Sequence, residues 1–480
     1  MGENHMDETL NLLAFDVGNS TVRVLLCRYD GHSVKSETIL SEPNETVKVG
    51  EYFYWDMLRI FSVLKRGLRE ASRKARIDSI GVCTWGIDFM LLDDRGNILS
   101  NALCYRNALG AEQLAKLDDA QRREMFYRTG ILCDKINTVY MLRGMQEHMP
   151  SILAAAKKIL LVPDVFVYMF TGCLCNEPCE LSTTQMLNVQ TMRLSEEQCA
   201  YCGVTSDIFS EIGTHGKAVG NVKREILEEL GIGYDIPFVC VPSHDTACAV
   251  MAIPSLEEEY LFVSAGTWAL IGAQCPQAIV NDEVLHAELT NEYGAFGRTT
   301  LLRNSIGMFI TQKLKAEYEL ETNWKISWDD FTALAQPYMA SAPTFDVNDP
   351  RFFNPPFMAR EIQNTVRPGA ADGLCWGEIL ASAYLSLGDS YAKNLAQLRR
   401  CTGRSYDRVY IVGGGARNTL INQRCADRLG MEVVTCDMEC SSVGNAVSQL
   451  AYFHPEYSYE QLREIIVRSL EVRILRPSSQ

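Results

Sequence analysis

The segment from Asp16 to Arg23 carries side chains that could grip a phosphate. It reads Asp-x-Gly-x-Ser-Thr-x-Arg and lies on a tight turn between two β-rich runs. Gly18 permits a close backbone approach, while backbone N–H groups and hydroxyls can surround phosphate oxygens. The Asp16 carboxylate can face a magnesium ion. An ordinary hairpin with an aspartate in its turn would show the same pattern, so this segment alone leaves both interpretations open.

Two glycine-bearing loops further along the chain could also approach a phosphate. Gly266–Thr267–Trp268 repeats the small, polar turn between two strands. Gly413–Gly414–Gly415 ends one strand and opens a helix, which lets the backbone approach a flat ligand or a phosphate. Two phosphate-binding turns that face each other would clamp a nucleotide tail. A tight strand-to-helix turn is the alternative explanation of the three glycines.

Two further polar loops offer groups for a sugar. The run PSHDT (242–246) follows an apolar stretch and places His244 beside Asp245. The carboxylate could accept a hydroxyl proton and hold a substrate, although an aspartate at a helix start is usually only a cap. The loop TWGID (84–88) adds the aromatic face of Trp85, which suits a sugar; core packing of the indole is the alternative.

The composition is that of an ordinary globular protein and excludes several classes. With 480 residues, 47% hydrophobic and 22% charged, the chain is not disordered, collagen-like or a coiled coil overall. A net charge of −15, from 45 basic and 60 acidic side chains, disfavours nucleic-acid binding. We find no window of about 18 continuous apolar residues and therefore expect no membrane span. The length predicts two large domains or about three smaller ones.

The start of the chain and its cysteines indicate a reducing compartment. Met1–Asp7 is polar and lacks the apolar core of a signal peptide, so we expect a cytoplasmic protein. The 17 cysteines then read as reduced thiols. A zinc site is the alternative for the five that lie near one another, although no second tight pair completes a zinc-ribbon pattern. These five are Cys173, Cys175, Cys179, Cys199 and Cys202.

The chain lacks the short motifs of several common enzyme classes. The P-loop sequence, the Gly-x-Gly-x-x-Gly fingerprint and the His-Glu-x-x-His motif do not occur. The Gly-x-Ser-x-Gly elbow and the catalytic set of the protein kinases do not occur either. These absences disfavour P-loop, Rossmann, zincin, hydrolase and protein-kinase functions.

The hydrophobic pattern predicts strands that lead into the polar loops. Strands over 11–18, 21–28 and 33–40 form an opening meander, and apolar residues at helical spacing predict a helix over 53–75. The second half repeats this order. Its predicted elements are strands over 259–265, 269–273, 408–412 and 432–435 and helices over 379–395 and 444–453.

This repeated order indicates a weak internal duplication with a period of about 250 residues. It predicts two related α/β domains that meet at a cleft, with the boundary near Ala252–Glu258. Residues 340–372 are rich in Pro, Asn and Asp and are predicted to form an irregular insertion.

As a set, the loops resemble those of the FGGY carbohydrate kinases, within the actin-like ATPase superfamily, and most of all the rhamnulokinase branch. The resemblance extends from Leu10 to Leu470, and the ordered set of segments is highly specific. The segments are AFDVGNSTVRV (14–24), TWGIDFMLLD (84–93), INTVYMLR (136–143), LLVPDVFVYMFTG (160–172), PSHDTACAV (242–250), VSAGTWALIG (263–272), LTNEYGAFGRTTLLRNSIGMFITQ (289–312), FDVNDPRFFNPP (345–356) and IVGGGARNTLINQRCAD (411–427).

The resemblance implies a two-domain α/β fold of the actin-like ATPase (ribonuclease H-like) kind, with a cleft between the domains. Residues 9–252 would form the N-terminal domain, with the sugar and the first phosphate loop, and residues 253–476 the C-terminal domain, with the second phosphate loop and the adenosine. ATP, Mg²⁺ and a sugar are the implied ligands. The implied roles are Asp245 as catalytic base; Asp16 as metal-orienting carboxylate; Asn19, Ser20, Thr21, Val22, Arg23, Thr267, Gln312, Gly414 and Gly415 as ATP contacts; and Trp85, Gly86, His244, Asp245, Thr246 and Asn304 as ketose contacts.

The resemblance implies transfer of the γ-phosphate of ATP to O1 of L-rhamnulose. Departures from the family pattern at Cys83, Asn107 and Gly373–Leu387 concern the sugar, so L-fuculose or a pentulose is the alternative substrate. A non-catalytic nucleotide-binding sensor on the same fold is an alternative of a different class. The presence of Asp16 and Asp245 argues against the sensor, since a degraded enzyme is expected to lose one of them.

Overall fold

The computed structural model describes residues 9–369, 373–436 and 440–478. Met1–Asp7, on which the expectation of a cytoplasmic protein rests, lies outside this description. The described residues form two compact units. The first unit contains those within Met1–Leu256, Cys275–Leu301 and Glu439–Leu470, and the second those within Glu257–Gln274, Leu302–Met438 and Glu471–Gln480.

The first half of the chain alternates strands with helices. Its strands are β1 (Leu10–Val17), β2 (Thr21–Tyr29), β3 (Val34–Pro43), β4 (Thr46–Val49), β5 (Tyr52–Trp55), β6 (Ser79–Thr84), β7 (Phe89–Leu92), β8 (Lys158–Leu161), β9 (Leu187–Asn188), β10 (Arg193–Leu194), β11 (Ala218–Asn221) and β12 (Pro237–Val239). Its helices are α1 (Met57–Lys74), α2 (Ala108–Leu114), α3 (Asp119–Thr129), α4 (Thr138–His148), α5 (Pro150–Ala155), α6 (Val162–Thr171), α7 (Pro178–Thr183), α8 (Glu196–Tyr201), α9 (Arg224–Leu230) and α10 (Asp245–Met251), with a 3₁₀ turn at Ser206–Ile208.

The second half follows the same alternation. Its strands are β13 (Tyr260–Ala265), β14 (Trp268–Cys275), β15 (Thr290–Tyr293), β16 (Thr299–Ile306), β17 (Arg408–Val412), β18 (Glu432–Cys436) and β19 (Arg473–Leu475). Its helices are α11 (Asp282–His286), α12 (Phe309–Thr322), α13 (Trp328–Ala333), α14 (Met358–Val366), α15 (Trp376–Thr402), α16 (Thr419–Leu429), α17 (Cys440–Phe453) and α18 (Tyr459–Ser469), with 3₁₀ turns at Ala295–Gly297, Gln336–Tyr338, Pro350–Phe352 and Gly414–Arg417.

The sheet of the first unit is built around β1. Its strand order in the described chain is β11-β12-β6-β1-β2-β3. β1 runs antiparallel to β2 and parallel to β6, and this register puts Asp16 opposite Arg23 on one side and Cys83 on the other. The apolar side chains Leu13, Phe15 and Val17 are fully buried, as expected for a central strand covered on both faces. The sheet therefore holds the carboxylate of Asp16 at the end of a rigid central strand.

Helix α1 begins later than the hydrophobic period predicted. The expected helix covered 53–75, but Tyr52–Trp55 pairs with β4 as strand β5, so the first four residues were assigned wrongly. The helix starts after Asp56, whose side chain accepts from the backbone N–H of Arg59. Strand pairing and an N-cap therefore override the apolar spacing at this end.

Helix α17 packs unusually close to its neighbours because two glycines face its contacts. A Cβ added at Gly444 of the helix would lie 2.0 Å from the carbonyl oxygen of Cys248 on α10. A Cβ added at Gly81 of β6 would lie 2.4 Å from Oδ1 of Asn445. Only glycine permits both approaches, and they bring the start of α17 to the edge of the sheet where Asp16 lies.

The second sheet repeats the connectivity of the first. Its order in the described chain is β15-β16-β14-β13-β17-β18-β19. β13 forms an antiparallel hairpin with β14 and runs parallel to β17, just as β1 does with β2 and β6. The strands predicted for the second half thus form a hairpin with a parallel neighbour.

The segment predicted to be irregular contains one regular helix. Helix α14, Met358–Val366, lies within the predicted insertion 340–372, and it buries Met358 and Ile362 one turn apart. The high Pro and Asn content masked this short amphipathic period. Residues 370–372 of the segment lie outside the described residues.

Helix α15 confirms the long helix predicted in the second half. It spans 27 residues and ends at Gly403, whose φ of 64° suits a left-handed cap. Among the residues that the structure describes, no helix combines the length and apolar character needed to cross a bilayer.

Candidate functional site

Three of the predicted site loops leave the same edge of the first sheet. β1 and β12 both run parallel to β6, so their carboxyl ends meet at one edge. The backbone N–H of Thr84 donates to the carbonyl of Ser243 over 2.8 Å, which ties the loop after β6 to the loop after β12. In open α/β sheets this edge is where ligands commonly bind.

The turn between β1 and β2 is closed by backbone hydrogen bonds. The Gly18 N–H donates to the Thr21 carbonyl over 2.9 Å. Asn44 braces the turn from outside, since its side-chain amide donates to the Gly18 carbonyl over 2.9 Å and its backbone N–H to the Ser20 carbonyl over 2.9 Å. Within the turn, the Ser20 hydroxyl also donates to Asn19 Oδ1 at 3.0 Å.

The five residues predicted as the first phosphate loop differ in exposure. Ser20 is exposed, while Asn19, Thr21 and Arg23 are partly buried. Val22 is fully buried, backbone included, between β1 and β3.

Asp16 is buried and receives several donors on one oxygen. Its Oδ2 accepts from Arg23 Nη2 at 2.7 Å, Ser441 Oγ at 2.8 Å and Ser442 Oγ at 3.0 Å. The two serines occupy the first turn of α17, where the positive end of the helix dipole also favours a carboxylate. Asp16 is therefore held in one orientation.

Asp16 has the donor chemistry that Mg²⁺ requires. This ion prefers hard oxygen ligands, and nucleotide enzymes hold it with one or two carboxylates and the substrate phosphates. The carboxylate lies at the end of β1 beside the first turn, with Arg23 as a neighbouring cation. The residues present thus fit a magnesium–phosphate group.

The loop after β6 contains a strained residue. Ile87 has a φ of 74°, a conformation that β-branched residues rarely adopt. Two hydrogen bonds hold it there: its N–H donates to Thr183 Oγ1 at 3.0 Å, and its carbonyl accepts from Thr138 Oγ1 at 2.6 Å. Strain held by its surroundings is common in binding loops.

Gly86 allows this loop to approach the histidine of the next loop. A Cβ added at Gly86 would lie 3.1 Å from Cγ2 of Thr183 and 3.3 Å from Nε2 of His244. Any side chain here would fill the space beside the imidazole. The structure therefore brings the predicted ketose contacts Gly86 and His244 together.

His244 and Asp245 lie at the start of α10, with the imidazole between two carboxylates. His244 Nε2 lies 3.6 Å from Asp245 Oδ1, and Nδ1 lies 3.2 Å from Glu292 Oε2. Burial lowers the pKa of His244, but the charges of Glu292 and Asp245 outweigh it and raise the pKa to about 9. The imidazole is therefore an imidazolium at neutral pH.

The Asp245 carboxyl is surrounded by protein atoms but remains open on one side, with 37% of its side chain exposed. Burial raises its pKa, the neighbouring His244 lowers it, and the charge of Asp16 raises it. Thr246 lowers the pKa through its N–H and through its Oγ1, which donates to Oδ1 at 3.3 Å. An accessible carboxylate with a raised pKa suits a general base.

Trp85 is packed rather than open. Its side chain is 5% exposed and stacks on Trp55, with 4.3 Å between ring centroids. Both indoles donate to Asp88 Oδ2, from Trp55 Nε1 at 2.6 Å and from Trp85 Nε1 at 2.9 Å. Burial raises the pKa of Asp88 to about 7, although the two indole donors lower it.

Behind these loops lies a group of buried acids. Asp164, Glu177 and Glu180 are each at most 3% exposed. Burial, together with the charges of neighbouring carboxylates, raises the pKa of Asp164 and of Glu180 well above the usual range. Glu180 Oε2 is buried without a hydrogen-bond partner among the described residues. Both carboxyls therefore favour the protonated form more than a free acid does.

The cysteines of the alternative zinc site do not gather into one site. Cys199 and Cys202 pack in an apolar cluster. Among the described residues, the group with metal-ligand spacing is instead Glu177, Cys179 and His215, whose ligand atoms lie within 4.8 Å of one another.

The hydrogen bonds of His215 argue against a metal in this group. Its Nδ1 accepts from the backbone N–H of Phe296 at 2.9 Å, so this nitrogen carries no proton. Nε2 must then carry the proton, which it donates to Glu177 Oε1 at 2.6 Å. If Nε2 bound a metal while Nδ1 accepted from Phe296, neither ring nitrogen could carry a proton. The group is better explained as a buried hydrogen-bond network.

In the second unit, the turn Gly266–Thr267 is bound to the start of α12. The N–H groups of Met308 and Phe309 donate to the carbonyls of Gly266 and Thr267, over 2.8 Å and 3.1 Å. Thr267 Oγ1 lies 3.4 Å from Gln312 Oε1. Two predicted ATP contacts, Thr267 and Gln312, thus lie side by side.

The glycine turn after β17 lies against the same place. A Cβ added at Gly415 would come within 2.5 Å of the Ala265 side chain. At Gly414 an added Cβ would meet nothing within 4 Å, so the space there is open to a ligand. Asn304, predicted to contact the ketose, is an exposed residue of β16.

Comparison with known families accounts for both units. Residues 11–252 match the N-terminal domain of the FGGY family of carbohydrate kinases, and residues 261–452 match its C-terminal domain. The chain belongs to the FGGY family of carbohydrate kinases. It is therefore a sugar kinase, as the sequence predicted.

Curated relatives of this FGGY kinase extend over almost its whole length. A rhamnulokinase of Bacteroides thetaiotaomicron is 30% identical, covering 97% of this chain and 96% of the relative. A rhamnulokinase of Yersinia pestis is 32% identical, covering 97% and 95%. These matches confirm the predicted resemblance to the FGGY family and to its rhamnulokinase branch.

Solved FGGY kinase structures share the two-domain α/β fold predicted from the sequence. A xylulose kinase from Brucella ovis matches with a TM-score of 0.78 at 16% identity, over 98% of this chain and 95% of that one. A Plasmodium falciparum glycerol kinase with ADP matches with a TM-score of 0.78 at 13% identity, over 98% and 94%. At these identities the likeness establishes the two-domain α/β fold alone.

Sequence reasoning missed several residues that this FGGY kinase places at the site. Ser441 and Ser442 contact Asp16, and Glu292 faces His244. The two serine hydroxyls lie just before Gly444, where the sequence predicted a helix to start, and this position was a usable signal for a polar contact. Glu292 had no local signal, because its partner comes from another element.

Proposed function

We propose that this FGGY kinase transfers the γ-phosphate of ATP to the primary hydroxyl of L-rhamnulose, giving L-rhamnulose 1-phosphate. The observation that carries the proposal is the Asp245 carboxylate, which opens to solvent at the start of α10. The glycine loop at Gly86 and the His244 imidazole lie beside it. The relatives named rhamnulokinase, at 30% and 32% identity, support this sugar.

In the proposed reaction, Asp245 accepts the proton of the sugar hydroxyl. The hydroxyl oxygen forms a bond to the γ-phosphorus while the bond between this phosphorus and the β,γ-bridging oxygen breaks, and ADP leaves. Most of the rate comes from positioning and charge stabilisation, as in other phosphoryl transfers. The raised pKa of Asp245 supports this role, because it brings the carboxyl closer to neutral pH than a free aspartate.

Asp16 would hold Mg²⁺, with Ser441 and Ser442 fixing the carboxylate. When bound, this ion would supply positive charge that offsets the negative charge of the phosphates. We assign the first phosphate loop to Asn19–Arg23, in which Val22 is buried.

We assign Thr267, Gln312, Gly414 and Gly415 to the nucleotide. Their clustering in the second unit supports a nucleotide-binding role for that unit. We keep residues 9–252 as the proposed sugar-binding domain and residues 253–476 as the proposed nucleotide-binding domain, with Cys275–Leu301 and Glu439–Leu470 belonging to the first compact unit. We also propose that the reaction takes place in the cytoplasm, where MgATP is plentiful.

We keep Gly86, His244, Asp245, Thr246 and Asn304 as the proposed ketose contacts. Trp85, in contrast, is 5% exposed and donates its indole N–H to Asp88. We therefore assign it to the support of the loop, where it can show a sugar at most one edge.

A ketose panel tests the proposal. ADP release is measured with MgATP and L-rhamnulose, L-fuculose, L-ribulose or D-xylulose, and ³¹P NMR locates the new phosphate. The proposal predicts the highest kcat/KM with L-rhamnulose and a phosphate on O1. A higher kcat/KM with another ketose would keep the reaction and replace the sugar. No sugar-dependent turnover, with ATP still bound, would favour the non-catalytic sensor.

A further inference from the structure

The side of His244 that faces away from Asp245 is held by Glu292 of strand β15. Glu292 Oε2 lies 3.2 Å from His244 Nδ1. The Glu292 side chain is 16% exposed and that of His244 is 12% exposed. Because the pair is shielded from solvent, salt and water screen its attraction much less than that of a surface ion pair.

Both ring nitrogens of His244 therefore face carboxylate oxygens. A carboxylate can only accept, so a neutral imidazole would turn a lone pair towards one of these oxygens. The doubly protonated ring instead presents an N–H group on both sides. Neither contact is aligned as a hydrogen bond, since Nδ1 has no hydrogen-bond partner among the described residues and Nε2 lies 3.6 Å from Asp245 Oδ1. Glu292 and Asp245 thus act on the ring through their charges.

His215, a second buried histidine in the same unit, has a different pair of partners. His215 also has a carboxylate neighbour, since Nε2 donates to Glu177 Oε1 at 2.6 Å. Its other nitrogen accepts from the Phe296 N–H at 2.9 Å, which requires a neutral ring. The two histidines thus differ in the partner of their second nitrogen, which is a backbone N–H group for His215 and a carboxylate for His244.

Other charged groups near His244 come from several elements. Besides Glu292 on β15 and Asp245 on α10, the charge of Glu177, at the start of α7, also raises the pKa of His244. Glu180 of α7 is buried nearby and has a raised pKa, and the charge of Asp16 on β1 raises the pKa of Asp245. Among these groups, Glu292 makes the closest contact with His244.

The Nε2 edge of the charged ring faces the space left by Gly86. An added Cβ there would lie 3.3 Å from Nε2, so the absence of a side chain at Gly86 keeps the space beside Nε2 open. Nε2 also lies 3.6 Å from Asp245 Oδ1. A charged N–H donor at this point can orient the acceptor sugar while the carboxylate receives its proton.

We propose that Glu292 is a positioning residue of the phosphoryl transfer, which holds His244 as an imidazolium with Nε2 turned towards Asp245 and the sugar pocket. This role rests on the proposed function, because it assumes that a sugar hydroxyl occupies the space beside Gly86. Glu292 itself does not touch the reacting atoms; it acts through His244.

The test compares three variants of the full-length protein. Glu292→Gln keeps the shape and removes the charge, whereas Glu292→Asp keeps the charge on a shorter side chain. Glu112→Gln is the matched control, since Glu112 and His148 form a similar pair at 3.3 Å that is about half exposed. NMR titration of the His244 ring proton is the first measurement, with His244→Asn for assignment.

The wild-type ring is expected to titrate near pH 9. In Glu292→Gln its pKa should fall by about one unit or more, because an opposite charge at this range has been removed. Glu292→Asp should retain most of the shift, and Glu112→Gln should change nothing. An unchanged His244 titration in Glu292→Gln would overturn the proposal.

The second measurement is the pH profile of kcat/KM for the sugar. Glu292→Gln should move the alkaline limb to lower pH by the same amount as the His244 titration, with KM for ATP unchanged. An alkaline limb that stays in place despite sugar turnover refutes the positioning role and leaves the proposed function standing. No turnover with any sugar in the wild type refutes the proposed function and with it this role, while the NMR titration still decides whether Glu292 charges His244.

Discussion

Replacing Asp88 by Asn should change how the stability of the protein depends on pH. Asp88 is 1% exposed, and its Oδ2 accepts from the indoles of Trp55 and Trp85. Burial raises its pKa from 3.8 to about 7 in the folded protein. The folded state therefore binds this proton more tightly than the unfolded state, and the resulting stabilisation is lost as the pH rises through 7.

The magnitude follows from the two pKa values. The pKa of Asp88 is 3.8 in the unfolded chain and about 7 in the folded one. Because of this difference, the unfolding free energy of the wild type should fall by about 2.5 kcal/mol as the pH rises from 5 to 8. An asparagine does not titrate, while its amide oxygen can accept from the same indoles. Any constant loss of hydrogen bonding in Asp88→Asn cancels when the two pH values are compared.

Urea unfolding at pH 5, 6, 7 and 8, followed by tryptophan fluorescence, measures this difference. The unfolding free energy of Asp88→Asn, taken relative to that of the wild type, should be about 2.5 kcal/mol higher at pH 8 than at pH 5. Asp93→Asn is the control, because hydrogen bonds from Asn97 lower the pKa of Asp93 and it stays ionised throughout. A stability difference between Asp88→Asn and the wild type that does not vary with pH would refute the reasoning.

Two further substitutions test the packing and the hydrogen bonds around the site. Gly444→Ala should lower the unfolding free energy, measured by urea unfolding, by about 3 kcal/mol and should reduce kcat. The reason is that the added Cβ would lie 2.0 Å from the backbone oxygen of Cys248, on the helix that carries Asp245. Gly233→Ala is the control and should be neutral, because its Cβ would meet nothing within 4 Å. Ser442→Ala should lower the unfolding free energy by about 2 kcal/mol and raise KM for MgATP, because it removes a 3.0 Å hydrogen bond to the Asp16 carboxylate. Ser72→Ala is the control, since it loses only a hydrogen bond to the Leu68 carbonyl in the same helix, and it should leave KM for MgATP unchanged. Unchanged KM in Ser442→Ala, or a stable and fully active Gly444→Ala, would contradict these contacts.

The turns and strand ends could be predicted because their signals are local. Gly18 closes the first turn with Thr21, and the two predicted strands flank it as β1 and β2. Each of these features depends on neighbours in sequence and on known turn preferences. The early start assigned to α1 shows the limit, because pairing between β4 and β5 is not encoded in the apolar period alone.

The partners of the site residues could not be predicted because they come from distant parts of the chain. Ser442 reaches Asp16 across 426 residues of sequence. Glu292 faces His244 from another strand, and Glu177, not a second cysteine, lies beside Cys179 and His215. Burial decides the charge of these groups, and burial depends on how the elements pack.

The central claim is that Asp245 is the base of a ketose kinase, and single-turnover kinetics with Asp245→Asn test it most directly. The account predicts that the rate of sugar-dependent phosphoryl transfer falls by about 10³-fold, as expected for loss of a general base. ATP and ketose should bind as in the wild type, and Asp119→Asn, an exposed aspartate in the first turn of α3, should be fully active. A rate in Asp245→Asn within tenfold of the wild type would contradict the account.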